Sequence, residues 1–403
     1  EIEFSDWSSD VCSSDLWVKA VSYGLFSFIV ITALISYCML PRGRVYITVL
    51  LIPAVLSLLI PYVYRPFVLP DRLSGMNSSV VKRLIDYLCS HTLPKADFIR
   101  LVKWSTGILE LRPSLVYIPS RAPITIVGDL HGQYSDVYQI LSKRLGKQPF
   151  IFNGDYVDRG TQGIEVLTAL MGTLCAFPHL IYMARGNHED PNLHILYGFK
   201  IEVLRKYDTE VYDVLKEFFQ ALPYAHVIAN SVFVVHGGLP PTPITLQDIS
   251  NLPRGGSEFL KDADVPDLSS SLLWSDPQNA MGSVDSVRGL GCRFGPDIVK
   301  QFLNSNKLSL IIRSHEVKPA GYEYTASGKV LTIFSASHYV GGGNSAAIAN
   351  VSFDGKTQQP IINIIQLQSS LLPKSPLNSV KVMLSVFAIL FIVVVDYIMV
   401  LSK

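Results

Sequence analysis

Three long apolar runs frame a central stretch of short, alternating periodicities. Val21–Leu40 and Val45–Tyr64 contain no charged residue, and each is about as long as a helix needs to cross a bilayer core. The link between them, Pro41-Arg42-Gly43-Arg44, is so short that the two read as a helical hairpin, because a bilayer tolerates only internally hydrogen-bonded backbone. Pro53 and Pro61 predict kinks in the second span. The third run, Val382–Leu401, carries a single carboxylate, Asp396, near enough to its far end to snorkel to the interface, and Lys381 and Lys403 bracket it. In the central stretch, a 3.6-residue apolar period predicts helices over Val80–Cys89 and Ala96–Leu111. Short apolar runs predict strands at Ile124–Val127, Phe150–Phe152, Leu180–Met183, Val232–Val235, Leu310–Ile312 and Val330–Phe334. Strands alternating with helices predict an α/β domain over 65–370, with a membrane hairpin over 17–64, a linker over 371–381 and a C-terminal transmembrane helix over 382–401.

Composition changes this picture little. Among 403 residues, 34 Lys and Arg nearly balance 33 Asp and Glu, so no basic surface points to nucleic acid. The five cysteines, Cys12, Cys38, Cys89, Cys175 and Cys292, form no CxxC pair, which argues against a disulfide framework or a thiolate metal site and predicts inert thiols. Residues 1–16 (EIEFSDWSSDVCSSDL) read as an in-frame translation of a sequencing-library adapter, or else as a polar, disordered segment, and are set aside from the fold. A hairpin returns the chain to its starting side, so the central domain shares a compartment with the N-terminus. Lys19, Arg65, Arg72, Lys374 and Lys381 lie on that side against Arg42, Arg44 and Lys403 opposite, which places the domain in the cytosol on an endomembrane. The sequons at Asn77 and Asn350 are read as chance triplets.

Candidate chemistry gathers where the predicted strands end. Gly128-Asp129-Leu130-His131-Gly132 follows the first strand, and Asn153-Gly154-Asp155-Tyr156-Val157-Asp158-Arg159-Gly160 the second. Arg185-Gly186-Asn187-His188-Glu189 follows the third, His236-Gly237-Gly238 closes the fourth, and Arg313-Ser314-His315-Glu316 ends the fifth. Carboxylates, imidazoles and an amide oxygen suit divalent ions such as manganese, iron or zinc. Asp129 and His131, two apart, can face one ion, and the two oxygens of Asp155 can bridge a pair. Any one cluster is weak evidence; five in series point to a metal site.

In this order the clusters GDLHGQ, GDYVDRG, RGNHE, HGG and RSHE resemble the phosphoprotein phosphatase family of dinuclear metal enzymes, over about Asp97 to Asp354. LLWSDP (272–277), RFGPDIV (293–299) and IIRSHEVKPAGYE (311–323) resemble its type-five and EF-hand-containing branches. The resemblance implies a calcineurin-like β-sandwich flanked by helices, acting as a phosphoserine and phosphothreonine phosphatase on phosphoprotein substrates. Asp129, His131 and Asp155 would hold one ion, and Asp155, Asn187, His236 and His315 the other. His188 would protonate the leaving alkoxide with Asp158 holding it, while Arg159 and Arg288 would clamp phosphate. Asn187 and Tyr339 would face the substrate. Two such ions generate hydroxide near neutral pH and stabilise charge on an in-line transition state. Three features depart from the family pattern. Ser337-His338 stands where Pro-Asn is usual, Val340-Gly341-Gly342-Gly343 replaces a cysteine-containing loop, and no tetratricopeptide repeat or EF-hand is present. His338 is read as a solvated loop residue, and anchorage of the apolar runs in membrane lipid as the targeting device, with no regulatory partner named. A metallophosphoesterase acting on a small-molecule or lipid phosphate is the alternative reading.

Overall fold

A computed structural model of the chain describes residues 67–254 and 268–367. The chain divides into Glu1–Val68 and Leu69–Lys403, and every element below belongs to the second unit. The apolar runs 21–40, 45–64 and 382–401, residues 1–16 and the linker 371–381 lie outside the described residues. Among the described residues, no helix is long and apolar enough to cross a membrane.

Two sheets face each other. One has six strands in the order β1 (Leu115–Ile118), β5 (Ala225–Ile228), β6 (Val232–Val235), β10 (Leu310–Arg313), β12 (Val330–Ile333) and β11 (Tyr322–Thr325). The other has five, ordered β14 (Pro360–Leu367), β13 (Ala346–Phe353), β2 (Ile124–Val127), β3 (Phe150–Phe152) and β4 (Ile181–Met183). A small third sheet orders β7 (Asp276–Pro277), β9 (Cys292–Phe294) and β8 (Ser283–Asp285). Successive strand residues point to opposite faces, and β6 shows the result. Val232 and Val234 enter the layer between the sheets, with Ile124, Ile126, Ile151, Ile312, Leu331 and Ile333. Phe233 and Val235 face outward, onto Val299, Phe302 and Leu303 of the helix Pro296–Asn306. Strands buried on both faces read as continuous apolar runs, which is why β2, β3, β6 and β10 stand out in the sequence.

The free face of the five-stranded sheet is covered by helices centred on Gly163–Ala176, buried at every residue from Gly163 to Cys175. A helix apolar all round needs neighbours all round, and it has them in Ser78–Leu88, Lys95–Glu110, Tyr134–Arg144, Phe199–Lys206 and β4. The sequon asparagines have structural partners. Asn77 caps its helix by accepting from the Val80 N–H, and Asn350 accepts from the Thr125 hydroxyl across the sheet. Cys175 and Cys292 are free and buried, and burial pushes the Cys175 thiol up to about 12.

Two seams bring the sheets' carboxyl ends together. The Asn153 amide donates to the Val235 carbonyl and the Ser314 hydroxyl, each at 2.8 Å. Asp129 bridges to Phe334 beside β12, while Gly128 N–H donates to Ser335 Oγ.

One core residue breaks the apolar pattern. His226 in β5 is fully buried, and neither ring nitrogen has a hydrogen-bond partner. Burial, helped by nearby Arg112, pushes its pKa down from 6.5 to about 3. The folded state therefore keeps the ring neutral, while the unfolded chain takes up a proton below about pH 6.5. Stability is thus retained above that pH and lost as pH falls toward 3. Between pH 6.5 and 5 the loss is about 2 kcal/mol. Urea unfolding at pH 7.5 and pH 5 should show His226→Leu losing less stability than wild type by that amount.

Candidate metal centre

Each polar cluster leaves the carboxyl end of a strand. Asp129 and His131 follow β2, Asp155 through Arg159 follow β3, and Asn187 and His188 follow β4. His236 directly follows β6, and His315 follows β10, so both sheets contribute. The loops turn through backbone that L-residues seldom adopt. His131 (φ 40°), Asp155 (54°), Asp158 (67°), Arg159 (68°) and His315 (73°) are all left-handed. Each such residue costs on the order of 1 kcal/mol, so the surroundings must over-determine it.

Glu189 is the main device that does so. Its buried carboxylate accepts from the backbone N–H groups of Asp155, Tyr156 and Gly186 at 2.8, 2.9 and 2.8 Å. Its pKa is pushed up to about 7, first by burial and then by Asp155. The glycines matter for space as well. Gly154 sits at φ +92°, and a Cβ there would lie 2.4 Å from Gly186 N. A Cβ on Gly186 would lie 2.3 Å from Asp155 Oδ1. Gly186→Ala must therefore displace Asp155, and calorimetry should find manganese affinity reduced about 10- to 100-fold.

The donor atoms converge. His131 Nδ1 donates to the Val157 carbonyl at 2.9 Å and His236 Nδ1 to the Asn153 carbonyl at 2.8 Å, which turns both Nε2 lone pairs inward. His131 Nε2 then stands 3.6 Å from Asp129 Oδ2 and 3.5 Å from Asp155 Oδ2. His236 Nε2 stands 3.3 Å from Asp155 Oδ1 and 3.0 Å from Asn187 Oδ1. With neutral rings these are acceptors set against acceptors in a dry site, an arrangement that a shared cation relieves. Asp129 Oδ2 and His315 Nε2 are buried with no hydrogen-bond partner, a cost of about 1–3 kcal/mol each unless something pairs with them. Donor atoms of Asp155, His236 and His315 lie within 4.8 Å of one another, as do those of His131, Asp155 and His188. The residues present fit two divalent ions sharing Asp155.

The electrostatics say the same. Burial opposes charge on His236, but Asp155 outweighs it and lifts the pKa to about 9. Burial likewise opposes charge on His131, yet Asp129 and Asp155 raise its pKa. His315 is held well below its ordinary value by burial, then by His236 and Arg288. Despite burial, Asp155 is held well below the carboxylate range by His236, His188 and His131. Buried negative charge here recruits positive charge.

Beside this cluster, His188 Nδ1 lies 2.8 Å from Asp158 Oδ2, and the other Asp158 oxygen accepts from the Phe199 N–H at 2.9 Å. With Nδ1 bonded to Asp158, His188 keeps Nε2 free, while Asp129 has an oxygen to spare for an ion. Arg159 is exposed, its guanidinium 3.7 Å above the Tyr197 ring. Arg288 Nε donates to Asp276 Oδ2 at 2.7 Å, and Arg313 holds the other Asp276 oxygen at 2.8 Å. The Tyr339 ring lies 4.9 Å from that of His131, and burial above all pushes its phenol up to about 12. Its loop is pinned by Asn344, which accepts from Tyr339 N–H at 2.8 Å, and by Asp136, which accepts from Ser337. His338, at φ 52°, is exposed. All eleven residues singled out in the sequence thus gather around the Asp155 cluster.

Four residues were not singled out: Glu189, Tyr197, Asp276 and His194. Glu189 and Asp276 lie inside the quoted clusters RGNHE and LLWSDP, so only their roles went unread. Tyr197 and His194 have no local signal, because a helix folds them back under His188.

Residues 122–319 match the family model described as calcineurin-like phosphoesterase. The chain is 40% identical over 284 residues to serine/threonine-protein phosphatase 5 of Arabidopsis thaliana, covering 69% of this chain and 52% of that protein. It is 37% identical over 297 residues to serine/threonine-protein phosphatase T of Trypanosoma brucei brucei, covering 70% and 61%. The chain thus spans about half the length of the first of these relatives and three fifths of the second. A solved protein serine/threonine phosphatase from Saccharomyces cerevisiae superimposes with a TM-score of 0.63 at 33% identity, covering 70% of this chain and 92% of that one.

Proposed function

Since the chain belongs to the calcineurin-like phosphoesterase family, we propose that it is a protein serine/threonine phosphatase that hydrolyses phosphoserine and phosphothreonine monoesters. The observation that carries this reading is the buried His188–Asp158 pair, set at 2.8 Å beside a cation-demanding cluster centred on Asp155. Asp129, His131 and Asp155 would hold one divalent ion, and Asp155, Asn187, His236 and His315 the second, manganese, iron and zinc all suiting the donors. When bound, such ions supply Lewis acidity and an activated water at neutral pH.

The chain's own residues do the rest. Arg159 and Arg288 offer planar forks matched to phosphoryl oxygens, with Asp276 aiming Arg288. Burial disfavours charge on Arg288, but Asp276 outweighs it and raises its pKa, so the clamp stays cationic. A serine alkoxide leaves poorly. As the phosphorus–oxygen bond breaks, His188 Nε2 delivers a proton to the departing oxygen, while Asp158 holds Nδ1–H and stabilises the ring's charge beforehand. Water supplies the oxygen gained by phosphate, and the protein substrate recovers its hydroxyl. Asn187 and Tyr339 line the path of the phosphorylated side chain.

The test is turnover by the manganese-loaded chain of phosphoserine peptide, phosphotyrosine peptide, nucleotide and lipid phosphate side by side. Preference for phosphoserine supports the reading; preference for lipid phosphate, or no turnover of any, overturns it. The proposal includes anchorage by 21–40, 45–64 and 382–401 in an endomembrane with the catalytic unit cytosolic, supported by the apolar length of these runs, of which only the last carries a charge, Asp396. Extraction at alkaline pH, with protease protection of a terminal tag, checks it. Release into the soluble fraction would remove it.

A further inference from the structure

His194 is a fully buried histidine outside the proposed ligand set and outside the proton-donor pair. It lies on the helix Pro191–Tyr197, among the rings of Phe199, Tyr212 and Phe219. One ring nitrogen, Nε2, is 2.8 Å from the backbone carbonyl oxygen of His188, and the other, Nδ1, is 3.2 Å from the Tyr212 phenol oxygen. Burial pushes its pKa down to about 4, so near pH 7 the ring is neutral and carries one N–H. A carbonyl oxygen only accepts, so that N–H is on Nε2, and Nδ1 accepts from the Tyr212 hydroxyl. A directed chain, Tyr212 O–H to His194 to His188 carbonyl, therefore ends on the backbone of the proposed proton donor.

His188 is then held at three points. Its backbone N–H donates to Asp155 Oδ1 at 2.9 Å, its ring meets Asp158 at 2.8 Å, and its carbonyl accepts from His194 at 2.8 Å. The first two contacts tie it to groups with other duties: Asp155 faces the ions, and Asp158 is shared with the Phe199 N–H. The third fixes the peptide plane after His188, and with it the direction in which the side chain leaves the backbone.

Resting on the reading of His188 as the proton donor, we infer that His194 is a positioning residue. Its Nε2–H holds the His188 carbonyl so that His188 Nε2 points at the leaving oxygen, with Tyr212 selecting the required tautomer. This device matters when the leaving group needs a proton and matters little when it does not. A phosphoserine peptide releases an alkoxide, whereas p-nitrophenyl phosphate releases a phenolate that departs unprotonated.

The experiment compares both substrates in the manganese-loaded full chain. His194→Leu is expected to lower kcat on the peptide about tenfold more than kcat on p-nitrophenyl phosphate, with KM unchanged. Tyr212→Phe should move the ratio in the same direction by less, and His194→Gln, which keeps a donor, should restore part of it. Circular dichroism establishes that each variant folds. If the leucine variant does not, the phenylalanine and glutamine variants carry the same ratio. A wild type that cleaves both substrates, with a ratio unmoved by any folded variant, would overturn this inference alone. A wild type that cleaves neither would overturn the phosphatase reading and this inference with it.

Discussion

Asp155→Asn is expected to lower kcat/KM on a phosphoserine peptide by on the order of 10³-fold or more, the largest effect of any single substitution in the chain. Asp155 is the one residue common to both groups of converging donor atoms. Its oxygens face His131 at 3.5 Å and His236 at 3.3 Å, and Oδ1 also accepts from the His188 N–H. An amide keeps the shape but removes the negative charge and replaces one acceptor by a donor. With Oδ1 kept for the His188 N–H, the amide N–H falls on the Oδ2 side and occupies the His131 lone pair that an ion would otherwise take. The variant should therefore lose metal as well as rate. Elemental analysis of dialysed protein checks this: fewer ions per chain than wild type is the expected result, and full metal content with full turnover would refute it.

Asp158→Asn separates proton delivery from ion binding. Asp158 is completely buried, and its two oxygens are committed to His188 Nδ1 and the Phe199 N–H. The substitution removes the acceptor that holds His188 Nδ1–H, and an amide N–H turned toward Nδ1 would select the wrong tautomer. Turnover of the phosphoserine peptide should fall roughly 10²–10⁴-fold, while metal content stays at the wild-type value. Cleavage of p-nitrophenyl phosphate should fall far less. Parallel losses on both substrates would mean that Asp158 acts on the cluster as a whole rather than through a proton.

Elements with strong local patterns were legible before any coordinates. The helix expected over 80–89 spans Ser78–Leu88, and the one expected over 96–111 spans Lys95–Glu110. The strand expected over 180–183 spans Ile181–Met183. The strand expected over 330–334 stops at Ile333, because Phe334 pairs with Asp129 in an isolated bridge. β5 was missed for a definable reason. It joins β6 through Ala229-Asn230, both left-handed, and the turn carries no glycine to signal it. β13 and β14 went unread because a strand is recognised by its cross-strand partners more than by intrinsic preference. The division into two sheets came from family resemblance, since periodicity within a strand is blind to which sheet receives it.

The metal centre divides along the same line. By itself the sequence determined the donors, their chemistry and their places at strand ends, because ligand type and short-range spacing are local properties. Only the tertiary structure decided that they meet. His188 and Asp158 are 30 positions apart, and Asp129 accepts from the backbone of His315 across 186. Nothing in a local pattern encodes those closures; they follow from two sheets packing a shared apolar layer and delivering their carboxyl ends to one place. The left-handed turns at His131, Asp155 and His315, and the His194 contact beneath His188, exist only because the surrounding fold holds them there.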